Sequence, residues 1–465
     1  MSAEALQWCV AFVVAAAVVV PYAVGFRRRR HLDRARKEEA SRLGIDRPTA
    51  QYPFVDAKRC IGCGACVDAC PEGDVLGIVG GTATVVNGLR CVGHGRCEPA
   101  CPVGAIEVGL GDLKSRHDVP LLDRWNETTV PGIYIAGELG GLALVKNAIL
   151  QAQQVVERIA QRAAAGRRGG PPDVLDVVVV GAGPAGLAAA AAARARGLSH
   201  VVLEQEEDLG GTVFHYPRRK LVLAQAVDIP VWGRLEEAEY EKEALLEIFQ
   251  ELAERARLDI RFRERVTAIE REDGVLAVRT GTSGMARARS VVLALGRRGT
   301  PRKLGVAGEE LPKVMYQLVD AESYRGRRVL IVGGGDSAVE AAIGLSRQPG
   351  NRVTLSYRRE KLVRIKKKNE ERFAALLAAR RVEALFGSEV EEIRADAVRL
   401  KGPGGAVTVA NDDVFVFAGG DPPFALLRQM GVRFGGDDAP AAARPALSLV
   451  PRPTSLRAAG DGGPR

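Results

Sequence analysis

The chain has 465 residues, with 53 glycines, 5% aromatic residues and a formal charge of +9. That length suits about three domains of roughly 150 residues each, and the glycine content suits α/β turns and close approach to phosphates. Basic residues gather after an apolar N-terminal stretch and near one dinucleotide-like motif. No basic stripe is interleaved with aromatics, which argues against nucleic acid as a partner.

Ala5–Phe26 is apolar apart from Gln7 and counts 22 residues. At about 1.5 Å per residue it spans about 33 Å, enough for a bilayer core. Arg27–Arg30, Arg34, Arg36 and Lys37 follow it, and no basic residue precedes it. This asymmetry predicts a single-pass transmembrane helix over residues 1–30 in the inner (cytoplasmic) membrane, with the catalytic domains facing the cytoplasm, rather than a cleaved signal. Residues 31–51 read as a polar linker.

Seven of the eight cysteines fall between Cys60 and Cys101. Cys60, Cys63, Cys66 and Cys70 form C-x2-C-x2-C-x3-C-P in "CIGCGACVDACP". The spacing recurs as Cys91, His94, Cys97 and Cys101 in "CVGHGRCEPACP", with a histidine in one cysteine slot. So tight a pattern reads as metal ligation rather than disulfides. The doubled run, each ending in Cys-Pro, favours iron–sulfur over two tetrahedral zinc sites. Clusters and free thiolates suit a reducing compartment. The run resembles bacterial two-cluster ferredoxins over residues 52–113, an α+β unit. That resemblance implies one 4Fe-4S cluster on Cys60, Cys63, Cys66 and Cys101, and a second on Cys70, Cys91, Cys97 and, if it ligates, His94. Three arrangements satisfy the histidine slot: a neutral imidazole ligand, a bystander to a 3Fe-4S cluster, or a 4Fe-4S cluster with a non-protein ligand. An imidazole in place of a thiolate removes one negative charge and raises the reduction potential.

Residues 173–300 open with "DVVVVGAGPAGL". Gly181, Gly183 and Gly186 stand as G-x-G-x-x-G between an apolar strand and an Ala-rich helix, and Glu204 lies 18 residues past Gly186. Strand, glycines, helix, strand and acid together fit a pyrophosphate and a ribose hydroxyl. Residues 301–410 repeat the pattern in "RRVLIVGGGDSAVEAA", with Gly333, Gly335, Asp336 and Ser337. Here the residue 18 past Ala338 is Ser356, and Arg358 and Arg359 follow. An absent carboxylate beside arginines fits a 2′-phosphate, so NADP(H) is expected over NAD(H). Residues 411–436 read as a return segment to the first dinucleotide domain, and residues 437–465, rich in Pro, Ala, Gly and Arg, as a disordered tail.

These pieces, with "LGGTV" (Gly211, Thr212), "VVLALGRRGTPRKLGVAGE" and "DDVFVFAGGDPP", resemble the thioredoxin-reductase-like flavoproteins. "HYPRRK" is similar to the bacillithiol-disulfide-reductase branch. The resemblance implies two Rossmann-like α/β domains, with FAD on the first glycine motif and NADPH on the second. Two departures matter. The flavin-closing segment, normally C-terminal, stands early as "TTVPGIYIAGELGG" and a helix within residues 114–165. The FAD domain therefore reads as permuted, with Gly137 and Glu138 set against the flavin. The segment can close its domain in one chain or in a second subunit of a homodimer. Second, no cysteine lies beyond Cys101, so the flavin has no intrinsic disulfide to reduce. The sequence thus predicts a membrane-tethered oxidoreductase passing electrons between NAD(P)H, FAD and two clusters to a quinone, a cytochrome or a soluble carrier. The alternatives are a redox-sensing or electron-transfer subunit without substantial turnover and a flavin-only reductase of small disulfides.

Overall fold

A computed structural model describes residues 3–46, 51–109, 118–141, 144–165, 173–282 and 284–435. The expected tail at 437–465 and most of the linker after residue 165 lie outside the described residues.

Helix α1 spans Ala3–Arg42 with Pro21 inside it. Among the described residues no helix is long and apolar enough to cross a membrane, so the expected transmembrane anchor finds no support. Nor does the helix stop at Arg30. It runs through much of the expected linker, because its second half has partners. The Asp33 carboxylate accepts from Ile78 N at 2.8 Å, and Lys37 Nζ donates to Val85 O at 2.8 Å. Ala40 and Ile45 are buried in a small cluster with Val363. The helix is thus a strut along the cysteine-rich unit.

That unit pairs Tyr52–Val55 antiparallel with Ile106–Gly109 and adds a hairpin, Leu76–Val79 with Thr82–Val85. The short helix α2 (Ala65–Asp68) follows a left-handed Gly64. Leu76, Ile78, Ala83 and Ile106 build a small core together with Cys66 and Cys97.

The first dinucleotide domain is a sheet in the order Ile260–Arg261, His200–Leu203, Val174–Val180, Met285–Leu293, Val275–Thr280, Val266–Glu272. The displaced strand Ile133–Ile135 joins it, parallel to Val291–Leu293. It takes the edge of Met285–Leu293 that the antiparallel neighbour leaves free, since that neighbour pairs only with residues 285–288. Helix α3 (Val145–Ala165) then packs on helix α4 (Pro184–Ala195). Ala188 through Ala193 are all essentially buried. An apolar helix buried all round needs cover on every side; the sheet, α3 and helix α5 (Lys242–Arg255) supply it. Strand Ile133–Ile135 and α3 thus pack on the first dinucleotide domain of the same chain.

The second domain is a five-stranded parallel sheet in the order Val314–Met315, Asp413–Val416, Arg328–Val332, Arg352–Tyr357, Val382–Phe386. Helix α6 (Asp336–Ser346) and helix α7 (Lys367–Ala378) cover it. Thr300–Pro301 and Gly420–Asp421 pair antiparallel where the chain crosses between domains. The return to the first domain thus comes later than residue 411, because Asp413–Val416 is a strand of the second sheet. Helix α8 (Phe424–Gln429) follows the crossing, and Leu427 and Phe434 pack against Ile133 and Val178.

Candidate functional site

Cys60, Cys63, Cys66 and Cys101 line one pocket with Ile61, Ile78, Ala83 and Ile106. The set is the one implied for the first cluster. Gly62 (φ 66°) and Gly64 (φ 83°) let the loop coil round it, and a Cβ on Gly62 would run into the Gly81 carbonyl. Backbone N–H groups point at sulfur: Ala83 N donates to Cys60 Sγ at 3.3 Å and Ala105 N to Cys101 Sγ at 3.2 Å. Burial, then the neighbouring Cys60 and Cys63, pushes the Cys66 thiol up to about 11.

The second set behaves alike. Burial, then Cys91 and Cys70, pushes Cys97 up to about 12, and burial pushes Cys91 up to about 11. Thiols crowded in this way ionise together only around a cationic centre. His94 stands in the remaining slot of the second run: burial lowers its pKa, with Arg96 and Lys366 adding to the effect, which favours the neutral ring. Its Nε2 is buried without a hydrogen-bond partner, an orphan that a metal bond would satisfy. Among the described residues no three His, Cys, Asp or Glu side chains converge as one bound ion requires. Two cysteine runs, each ending in Cys-Pro, fit iron–sulfur clusters as donor sets.

In the first glycine loop, Gly181 has φ 105° and a Cβ there would stand 2.6 Å from Ala294 O. A Cβ on Gly186 would overlap the Gly181 carbonyl, and one on Gly211 would lie 3.1 Å from Gly183 Cα. These contacts leave bare backbone where a pyrophosphate binds. Glu204 is buried at the end of its strand and accepts from Ala182 N at 2.5 Å and Glu206 N at 3.0 Å. Thr212 sits in a turn with Gly211. Gly137 (φ 90°) reaches the same loop from the displaced segment: a Cβ there would stand 3.2 Å from Ala185 Cβ. Its N–H is held by Gln151 Oε1 of α3 at 2.8 Å.

Glu138 opens onto the cleft between the domains. Its side chain reaches solvent, yet protein crowds the carboxyl, and this desolvation raises its pKa against the pull of Arg297. Tyr216, left unassigned by the sequence, stands in that cleft. Burial, then Glu138, pushes its phenol up to about 12. Lys220 lies 4.3 Å above the Tyr216 ring and pairs with Glu340 of α6 at 2.9 Å. Arg298, also unforeseen, is desolvated beside Tyr216.

In the second loop, Gly333 has φ 146° and Gly335 precedes α6 in extended conformation. Ser337 is exposed. Asp336 is occupied structurally, accepting from Lys366 N at 2.9 Å and Asn369 Nδ2 at 2.7 Å. Ser356 turns inward to Ser388 Oγ at 2.7 Å, which explains why no acid stands there. The two arginines separate: Arg358 is exposed, while Arg359 donates to Leu43 O past the end of α1 at 3.4 Å.

Residues 52–102 match the 4Fe-4S dicluster domain, and residues 178–445 match the pyridine nucleotide-disulphide oxidoreductase family. The ferredoxin–NADP reductase of Ignicoccus hospitalis is 28% identical over 57% of this chain and 83% of its own length. That of Streptococcus thermophilus is 31% identical over 40% of this chain and 55% of its own length, so the chain spans little more than half of that relative. Among solved structures, bacillithiol disulfide reductase Bdr from Staphylococcus aureus superposes with a TM-score of 0.50 at 26% identity, covering 55% of this chain and 80% of that one. Matched over more than half of its length, the chain belongs to the pyridine nucleotide-disulphide oxidoreductase family and carries a 4Fe-4S dicluster domain ahead of it.

Proposed function

We propose that this FAD- and NAD(P)-dependent oxidoreductase exchanges electron pairs with NADPH and single electrons with an acceptor reached through two iron–sulfur clusters. The observation that carries the reading is the docking of the two-set cysteine unit against the nicotinamide domain, in a sequence with no cysteine beyond Cys101. FAD, when bound, supplies the step from pairs to single electrons, which clusters carry one at a time. The residues position and tune. The glycine loop, Glu204 and Gly137 hold the dinucleotide backbone, Tyr216 and Glu138 wall the cleft, and Arg358 stands where a 2′-phosphate would be read. His94 is proposed as the fourth ligand of the second cluster. No acid–base triad is required. Likeness to the ferredoxin–NADP reductases supports the direction toward a one-electron carrier.

A second reading, reduction of a small disulfide, is favoured by the likeness to Bdr. One assay separates them: NADPH-dependent cytochrome c reduction is expected to exceed NADPH oxidation by a small disulfide by about tenfold or more, and the reverse ranking overturns the first reading. Localisation belongs to the same proposal. Exposed Trp8, Phe12 and Val13 on α1, with Arg27–Arg30 behind them, support attachment to an anionic membrane surface. Flotation with anionic vesicles that survives deletion of residues 1–26 would contradict it.

A further inference from the structure

The two cysteine sets differ in what surrounds them. The second set is turned into the body of the protein. Arg90, beside Cys91, is 6% exposed and reaches Glu370 of α7 at 2.5 Å and Asp74 at 3.2 Å. Asn87 Nδ2 donates to Val363 O at 3.4 Å. A Cβ on Gly73, just after Cys70, would stand 3.2 Å from Lys367 Cδ. From this seam polar contacts run on to the cleft. Asn369, next to Glu370 and 7% exposed, donates to Asp336 at 2.7 Å and to Glu340 at 3.1 Å. Glu340 meets Lys220, which lies over Tyr216.

The first set has one open edge. Cys63 is exposed, and Ile61, one of the pocket-lining residues, is 64% exposed. Apolar surface at the lip of a redox pocket is where an outside carrier approaches without desolvating charge.

We infer that the clusters act in a fixed order: the set of Cys70, Cys91, His94 and Cys97 is the inlet, the set of Cys60, Cys63, Cys66 and Cys101 is the outlet, and Arg90–Glu370 positions the inlet on the nicotinamide domain. The inference rests on the proposed function. Each NADPH gives NADP+, one proton and two electrons. With FAD and both clusters bound, the electrons would pass singly to the set of Cys70, Cys91, His94 and Cys97, then to that of Cys60, Cys63, Cys66 and Cys101, and would reduce two molecules of a one-electron acceptor protein at the Ile61–Cys63 edge.

The test uses the full chain with both clusters and FAD, mixed with NADPH under argon and freeze-quenched for EPR, and cytochrome c as the acceptor. In the unmodified protein the inlet signal is expected before the outlet signal; the opposite order overturns the inference. Glu370→Gln keeps every ligand. It is expected to leave flavin bleaching unchanged and to slow inlet reduction about tenfold, with Glu370→Asp restoring most of the rate; an unchanged rate removes the positioning role. Cys63→Ala is expected to keep inlet reduction while cytochrome c reduction falls about tenfold or more. Unimpaired cytochrome c reduction in that variant also overturns the inference. If neither cluster in the unmodified protein accepts electrons, the underlying function fails, which is a distinct result.

Discussion

His94 occupies a cysteine slot of the second run, burial lowers its pKa, and its Nε2 is buried and unpaired. Ligation through that nitrogen predicts a 14N coupling in pulsed EPR of the reduced second cluster. In His94→Cys the coupling is expected to vanish and the midpoint potential to fall by on the order of 100 mV, since a thiolate adds one negative charge. A wild-type spectrum without nitrogen coupling would remove His94 from the ligand set. The cysteines were legible in the sequence because a cluster loop sets its ligands at fixed short spacing. Arg90 and Glu370 were not: they are 280 positions apart, and neither carries a local signature. Tyr216 was given no role from the sequence, because two of the groups around it, Glu138 and Glu340, come from distant segments. The reading of Arg358 and Arg359 as a pair also changes, since the backbone turns one outward and the other toward α1.

Among elements, the displaced strand and α3 show how much a pattern can carry. The strand within "TTVPGIYIAGE" and the helix after it lie on the first dinucleotide domain. The sequence left open whether it closes its own chain, a matter of where Ile133–Ile135 finds a free sheet edge. Glu127 anchors this segment. It takes Arg162 of α3 in two bonds, at 2.5 and 2.7 Å, and accepts from Gly132 N at 2.8 Å. Burial works against its ionisation, but Arg162 and the Gly132 N–H outweigh it, and the net pKa is lowered. A carboxylate depressed on folding contributes stability that is fully present above its unfolded pKa of about 4.3 and is lost as pH falls through the folded value. Glu127→Gln is therefore expected to cost about 1–2 kcal/mol in thermal or urea unfolding at pH 7. The gap from wild type should close below about pH 4; a constant gap would mean that the ion pair does not hold α3. Helix α1 is the contrary case. Its apolar run suggested an element ending at Arg30, yet Asp33, Lys37 and Ala40 meet partners on units that local composition cannot foresee, and the helix extends to Arg42.

At the scale of the whole molecule, three units are joined by side chains as well as by sequence. Lys220–Glu340 and Arg218–Asp320 tie the two dinucleotide domains. Arg90–Glu370 and Lys361–Glu39 tie the cysteine-rich unit and α1 to the second. One chain thereby holds two dinucleotide-type folds and the two cysteine runs. We propose that a pair of electrons from the dinucleotide ends up divided over iron. The most direct measurement is an anaerobic titration of the reconstituted protein with NADPH, following flavin absorbance and cluster EPR in the same samples. Flavin bleaching is expected to be accompanied by reduced-cluster signals that grow with each equivalent. Complete flavin bleaching with both clusters still oxidised would contradict it.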